Sequence, residues 1–421
     1  MKQAALGTAV VFTASGAVVG GWVSRIPAVV ERLGIGPGEL GRALLALGLG
    51  SLVSMPVTGH ACRRFGSRAW VAGTALVSAV ALAAAGLAGS LWALGGALFV
   101  LGLAYGSWDV AMNVQGSFVD RRAGREWMPR YHACWSLGSI GGAAAGSLAA
   151  RAGIGAAPHL AVAAVVSLAV TYAGLTLFLD ERTDERTDGR TDERTDGRTD
   201  ERTDERTDGR ADGGTPERTD AGTAAAPGRR RFCAGRALPL IGLATLCATV
   251  VEGAAGDWLA LFLHTGRGLS QSSAALGYTL FATAMTAGRF AGSTAVARLG
   301  RARAVRLGAL LGVAGIAAAV LAPGTGPTYA GALLWGLGVC LVFPAAVSAA
   351  GQTARPAEAI ALVTSIGYGS LLVGPPLIGA LADAIGLGRA LLGLAGLAAA
   401  IAALAPVLRS PAQSGSASIA R

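Results

Sequence analysis

Arg64-Phe65-Gly66 returns as Arg298-Leu299-Gly300, 234 residues further along the chain. Outward from this pair the echo continues. Gly21-Trp22 meets Asp257-Trp258 at the Trp, and Leu40-Gly41 meets Leu276-Gly277, both at an offset of 236. Gly102-Leu103-Ala104 meets Gly336-Leu337-Gly338 at 234. One match means little in a chain with 63 Gly, but four in the same order describe an internal duplication.

The repeated halves are built of apolar runs. Hydrophobic residues make up 52% of the 421, and charged residues only 14%, against about 25% in an ordinary globular protein. Mean hydropathy is +0.53. Such a chain cannot cover a water-facing exterior. A spanning helix needs about 20 apolar residues, and twelve such runs are present: 4–24, 40–59, 69–89, 91–116, 133–151, 157–179, 237–263, 273–296, 305–322, 328–350, 358–380 and 388–408. The reading is an all-α membrane protein of twelve transmembrane helices in two six-helix halves, 1–179 and 237–410, with a tail at 411–421.

Charge is distributed to match. Residues 180–212 hold nine Asp, five Glu and eight Arg, mostly as the tetrad Glu/Gly-Arg-Thr-Asp. That stretch has nothing apolar to bury, so 180–236 is expected to be a disordered linker. The net charge of +10 does not imply nucleic acid, because the basic residues sit in short clusters between apolar runs. With the N-terminus inside, the short inner loops carry twelve Arg and the outer ones six. This bias places both termini and the linker in the cytoplasm of a cell membrane protein. The five Cys and four His show no metal-type spacing, and no Walker-type loop is present. No cofactor, metal site or enzymatic residue set is implied.

The loop Gly59-His60-Ala61-Cys62-Arg63-Arg64-Phe65-Gly66-Ser67-Arg68 resembles the Gly-x-x-x-Asp-Arg-x-Gly-Arg signature of the major facilitator superfamily. It departs from it at Arg63, where that family usually has Asp, and the second-half loop has Ala297 there, before Arg298, Gly300 and Arg301. The family's two halves are related by an axis along the membrane normal. Trp22-Val23-Ser24-Arg25-Ile26-Pro27, Asp109-Val110-Ala111-Met112-Asn113, His132-Ala133-Cys134-Trp135-Ser136-Leu137-Gly138 and Glu252-Gly253-Ala254-Ala255-Gly256-Asp257-Trp258 resemble a bacterial branch that holds the membrane proteins MosC and YbjJ. More distantly, the fourth run is similar to the fucose permeases, whose first-helix acid has no counterpart near Pro27.

An ionisable group in the bilayer costs about 2.5–3.5 kcal/mol on insertion scales, so those retained mark candidate sites. Three acids fall clearly within the runs: Asp109, Glu252 and Asp257. Tyr105, Asp109 and Asn113 share one helical face. The resemblance makes the fourth and seventh runs cavity-lining, so this face and Glu252 read as substrate- or proton-binding, with a helix–helix hydrogen bond as the alternative. Asp257, five positions after Glu252, is expected to point elsewhere, as a structural pair or an outer gate with Arg25, with substrate contact as the equal alternative. Arg25 has an interfacial anchor as its other reading. Arg289 is a candidate inner clamp, with snorkelling to the interface as its other reading. Trp22 and Trp258 read as belt residues or as platforms for a sugar face.

The resulting expectation is a secondary transporter of a small polar solute, such as a sugar, polyol or derivative, working by alternating access as a monomer with proton coupling. A proton-driven exporter uses the same residues in the opposite sense. A non-transporting receptor or scaffold is the reading of a different class.

Overall fold

The computed structural model describes residues 1–125, 127–179, 234–353 and 356–409. The repeats of the expected linker and the 411–421 tail lie outside the described residues. Within them the first half has six helices: α1 Lys2–Leu33, α2 Pro37–Phe65, α3 Ser67–Leu87, α4 Leu91–Ala123, α5 Met128–Arg151 and α6 Ala156–Leu175. The second half has α7 Ala234–Ala254, continued by a π-helical turn Ala255–Leu259 and by Ala260–Thr265. Then come α8 Gln271–Leu299, α9 Arg301–Leu321, α10 Thr325–Val339 with Val342–Ala350, α11 Pro356–Ile385 and α12 Leu387–Leu404. Ten of these are long and apolar enough to cross a bilayer, and α5 and α8 are the other two.

Several helices outrun the apolar runs that announce them. The first run ends at 24, yet α1 continues to Leu33 through Arg25 and Pro27. Arg25 does not end the helix because it is 1% exposed and gives its guanidinium to the carbonyls of Gly146 and Ile154. The tenth run is broken at Cys340–Leu341. Pro344 has no N–H to give the carbonyl four residues back, which accounts for the break.

The duplication is visible contact by contact. A Cβ on Gly102 would lie 1.9 Å from the Leu47 carbonyl oxygen, and one on Gly336 2.3 Å from that of Phe281, so α4 lies on α2 as α10 lies on α8. Arg32 donates to the carbonyls of Gly86 and Ala88 at the end of α3. Arg267 does the same to Val320 and Ala322 at the end of α9. Gly66 and Gly300 cap α2 and α8 with nearly the same backbone, φ 83 ψ 149 and φ 78 ψ 149.

Small residues set the helix spacing, as expected where lipid gives no hydrophobic drive between helices. Gly16 and Gly20 on α1 meet Gly138 and Gly142 on α5, each approach closed to a Cβ by a facing carbonyl. Hydroxyls buried in the bundle bond back to their own helix, as Thr8 to Ala4 and Thr245 to Ile241. No polar group is thereby left open to lipid at these positions.

The halves meet through α2 against α11 and α5 against α8. Four polar contacts cross between them at the end carrying the α1–α2 loop. The Gly38 N–H donates to Asp383 Oδ1 at 3.0 Å, and Ser147 Oγ donates to the Ser272 carbonyl at 2.8 Å. Gln271 Nε2 donates to Glu31 Oε2 at 2.6 Å, and His264 Nε2 lies 3.4 Å from the same oxygen. Gly379 and Gly41 bring α11 and α2 into backbone contact beside them.

Candidate functional site

Past that seal lies a cavity of about 920 Å³ between the halves. It is walled by α2, α4 and α5 on one side and by α7, α8 and α11 on the other, and it reaches Pro129 and Phe290 toward the end bearing the α2–α3 loop. Its polar lining includes Ser51, Tyr105, Asp109, His132, Asp257 and Arg289.

Asp109 is brought to the wall by α4, one turn after Tyr105. The Tyr105 hydroxyl accepts from Trp135 Nε1 at 2.9 Å and from Ser15 Oγ at 3.0 Å, which joins α4, α5 and α1. Asn113 Nδ2 donates to the Asp109 carbonyl at 2.8 Å, inside its own helix, and Asn113 is not part of the lining.

On the opposite wall the two α7 acids part company. Glu252 Oε1 accepts from Arg289 Nη2 at 2.7 Å, and both side chains are about one-third exposed (27% and 34%). Arg289, the candidate clamp, thus holds an acid of its own half. Asp257, expected to point away, lines the cavity instead. It sits on the π-helical turn Ala255–Leu259, four positions after Gly253, which also lines the cavity. In an unbroken α-helix a residue five positions on is turned about 140° away. Asp257 therefore shares the face of Gly253 and not that of Glu252, which is outside the lining.

Arg25 is neither an anchor nor a gate partner of Asp257. It is buried in the first half on the carbonyls of α5 and the α5–α6 loop. Trp22 and Trp258 do occupy matching places, but in the cores of their halves, 5% and 0% exposed, and outside the cavity lining.

The signature loops are structural ends. Arg63, Arg68 and Arg298 are exposed. The Arg64 guanidinium lies over the Phe65 ring at 5.4 Å. Arg301 is buried, with its guanidinium on the Leu408 carbonyl, Ser348 Oγ and Gln352 Oε1. Its first-half equivalent, Ser67, donates to Gln115 Oε1 at 2.9 Å. The residue after each capping Gly therefore reaches a Gln, on α4 in the first half and just past the end of α10 in the second. Gly59 is an ordinary helical residue with open space around its Cα.

The residues that sequence reasoning missed are Trp135, His132, Asp383 and the two Gln. His132 and Trp135 lie inside a stretch that carries the resemblance, so a signal was there. Asp383 gave none, because its partner is a backbone N–H 345 residues away.

Residues 4–368 match the family model of the Major Facilitator Superfamily. The chain is 35% identical to an uncharacterised transporter, y4wD, of Sinorhizobium fredii, over 96% of this chain and 97% of that protein. It is 32% identical to an uncharacterised transporter of the same superfamily type from Yersinia pestis, over 89% and 88%. It is 27% identical to the membrane protein MosC of Rhizobium meliloti, over 90% and 84%. Among solved structures it superposes on the nucleoside transporter NupG with a TM-score of 0.70 and 12% identity, over 97% of this chain and 99% of that one. With its duplicated six-helix halves around one cavity, the chain belongs to the major facilitator superfamily and is a multi-pass membrane transporter.

Proposed function

We propose that this protein carries a small polar solute, of the size and polarity of a sugar, polyol or nucleoside, by alternating access coupled to protons through Asp109. The observation that carries the reading is the cavity itself. It lies between the two halves, has an acid on each wall, and is sealed at one end by four polar contacts. Those contacts are few, so rocking the halves exchanges one sealed end for the other at modest cost. The Arg bias puts the sealed end outside and both termini in the cytoplasm of the cell membrane. Protonation of Asp109 removes a charge that is costly to carry through an occluded, dehydrated state. Nucleosides are included because the structurally similar NupG is titled a nucleoside transporter.

The test is uptake into proteoliposomes of a sugar, polyol and nucleoside panel, with and without an imposed proton gradient. Asp109→Asn keeps size and hydrogen bonding but cannot exchange a proton. It should abolish uphill accumulation. Full accumulation by that variant would remove Asp109 from coupling. No movement of any solute would remove the transport reading.

A further inference from the structure

Resting on the transporter reading, we propose that the solute carries a positively charged amine, held between Asp109 of α4 and Asp257 of α7. Both line the same cavity, from opposite halves. Neither carboxylate has a hydrogen-bond or ion-pair partner among the described residues, unlike Glu252, whose charge Arg289 balances. Asp257 reaches the wall on the face that also carries Gly253, and it lies within the π-helical turn Ala255–Leu259 of α7. Such turns are rare and recur at functional sites.

The lining sorts ligands by charge. Arg289, which would receive a carboxylate or phosphate, is already committed to Glu252 at 2.7 Å. The other titratable lining groups are Tyr105 and His132, with Tyr278 close to Asp257 and Glu252. An anionic solute would therefore face two uncompensated acids with no free Arg. A neutral solute would hydrogen-bond to them but leave their charges in a low-dielectric space, which is unfavourable. A protonated amine supplies the missing charge. Beside Asp109, Tyr105 and Trp135 are fixed to each other by a 2.9 Å hydrogen bond and line the same cavity, and aromatic rings attract a cation. Protons and the amine neutralise the same carboxyls, so they compete, and occupancy of the site by one displaces the other.

The experiment uses the purified full-length protein and matched probes: glucosamine, glucose and glucuronate, then 5-aminopentanol, 1,5-pentanediol and 5-hydroxypentanoate. Binding is read by tryptophan fluorescence and by thermal shift at pH 7 and at pH 5.5. The amine of at least one set should bind about tenfold or more tightly than its neutral partner, and more weakly at pH 5.5. Asp257→Asn should erase that preference, and Asp257→Glu should retain it. Unchanged unfolding temperatures without ligand show that both variants fold. Equal or tighter binding of the neutral or anionic partners overturns the proposal. So does an amine preference that survives Asp257→Asn, or the absence of any amine binding. Counterflow with whichever probe binds separates the two readings. A neutral probe that is carried upholds transport and sinks the amine. An amine that binds with the expected preference but is never carried upholds the charge assignment and sinks transport.

Discussion

Asp383, near the end of α11, accepts a hydrogen bond at 3.0 Å from the backbone N–H of Gly38 in the first turn of α2, across the two halves. The carboxylate lies at the positive end of a 29-residue helix, where an anion is favoured. Gly38 leaves it room, because a Cβ there would lie 2.0 Å from Asp383 Oδ2. Asp383→Ala should weaken the seal by about 1 kcal/mol, since the side chain is exposed. The ratio of the sealed to the unsealed state should fall roughly fivefold. Distances between spin labels on the α1–α2 and α11–α12 loops check this, with a longer component expected to grow.

The Glu252–Arg289 pair gives a second expectation. Arg289→Ala leaves a partly buried carboxylate without its counter-charge and should lower stability by about 1–3 kcal/mol. Glu252→Gln with Arg289→Gln should cost less than the sum of the single changes, because each alone strands a charge. Thermal unfolding of the four proteins in detergent measures the coupling. Additive losses would show the pair contributes nothing as a pair.

The signature loops predict a contrast between glycines. Gly66 and Gly300 sit at φ 83 and 78, where a side chain costs on the order of 1–3 kcal/mol. Gly59 of the same motif is helical and faces open space, so Ala should be neutral or slightly stabilising there. Gly66→Ala and Gly300→Ala should lower the unfolding temperature, and Gly59→Ala should not.

The fold was legible because bilayer thickness imposes a length and duplication imposes an order. Gly102 and Gly336 are echoes in the sequence and make equivalent contacts in the fold. Asp109 was legible because an acid between glycines on an apolar helix has few structural excuses. Arg25 was not. Its charge looked like a helix end, whereas the carbonyls of Gly146 and Ile154 accommodate it inside. Asp257 was set apart because its face was judged against Glu252, whereas the residue of α7 that shares the cavity wall with it is Gly253, four positions earlier. Trp22 and Trp258 were placed by the ends of their apolar runs, whereas the helices continue to Leu33 and Thr265 and bury both rings.

Orientation is open to direct test. Reporter fusions after residue 215 and at the C-terminus should be active only as cytoplasmic tags, following the Arg asymmetry of the loops. Activity of a periplasm-only reporter at either point would reverse the seal and the cavity mouth.

Alternating access itself is tested most directly at Ser147 and Ser272, whose 2.8 Å contact belongs to the seal. In a background without native Cys, Ser147→Cys with Ser272→Cys provides a reversible disulfide, and Ser51→Cys reports from the cavity wall. The measurement is labelling of that reporter by a membrane-impermeant maleimide from each side. With the disulfide formed, labelling should occur only from the cytoplasmic side. After reduction it should occur from both sides. Labelling from outside with the disulfide intact, or from one side only in both states, would contradict a carrier that alternates between two openings.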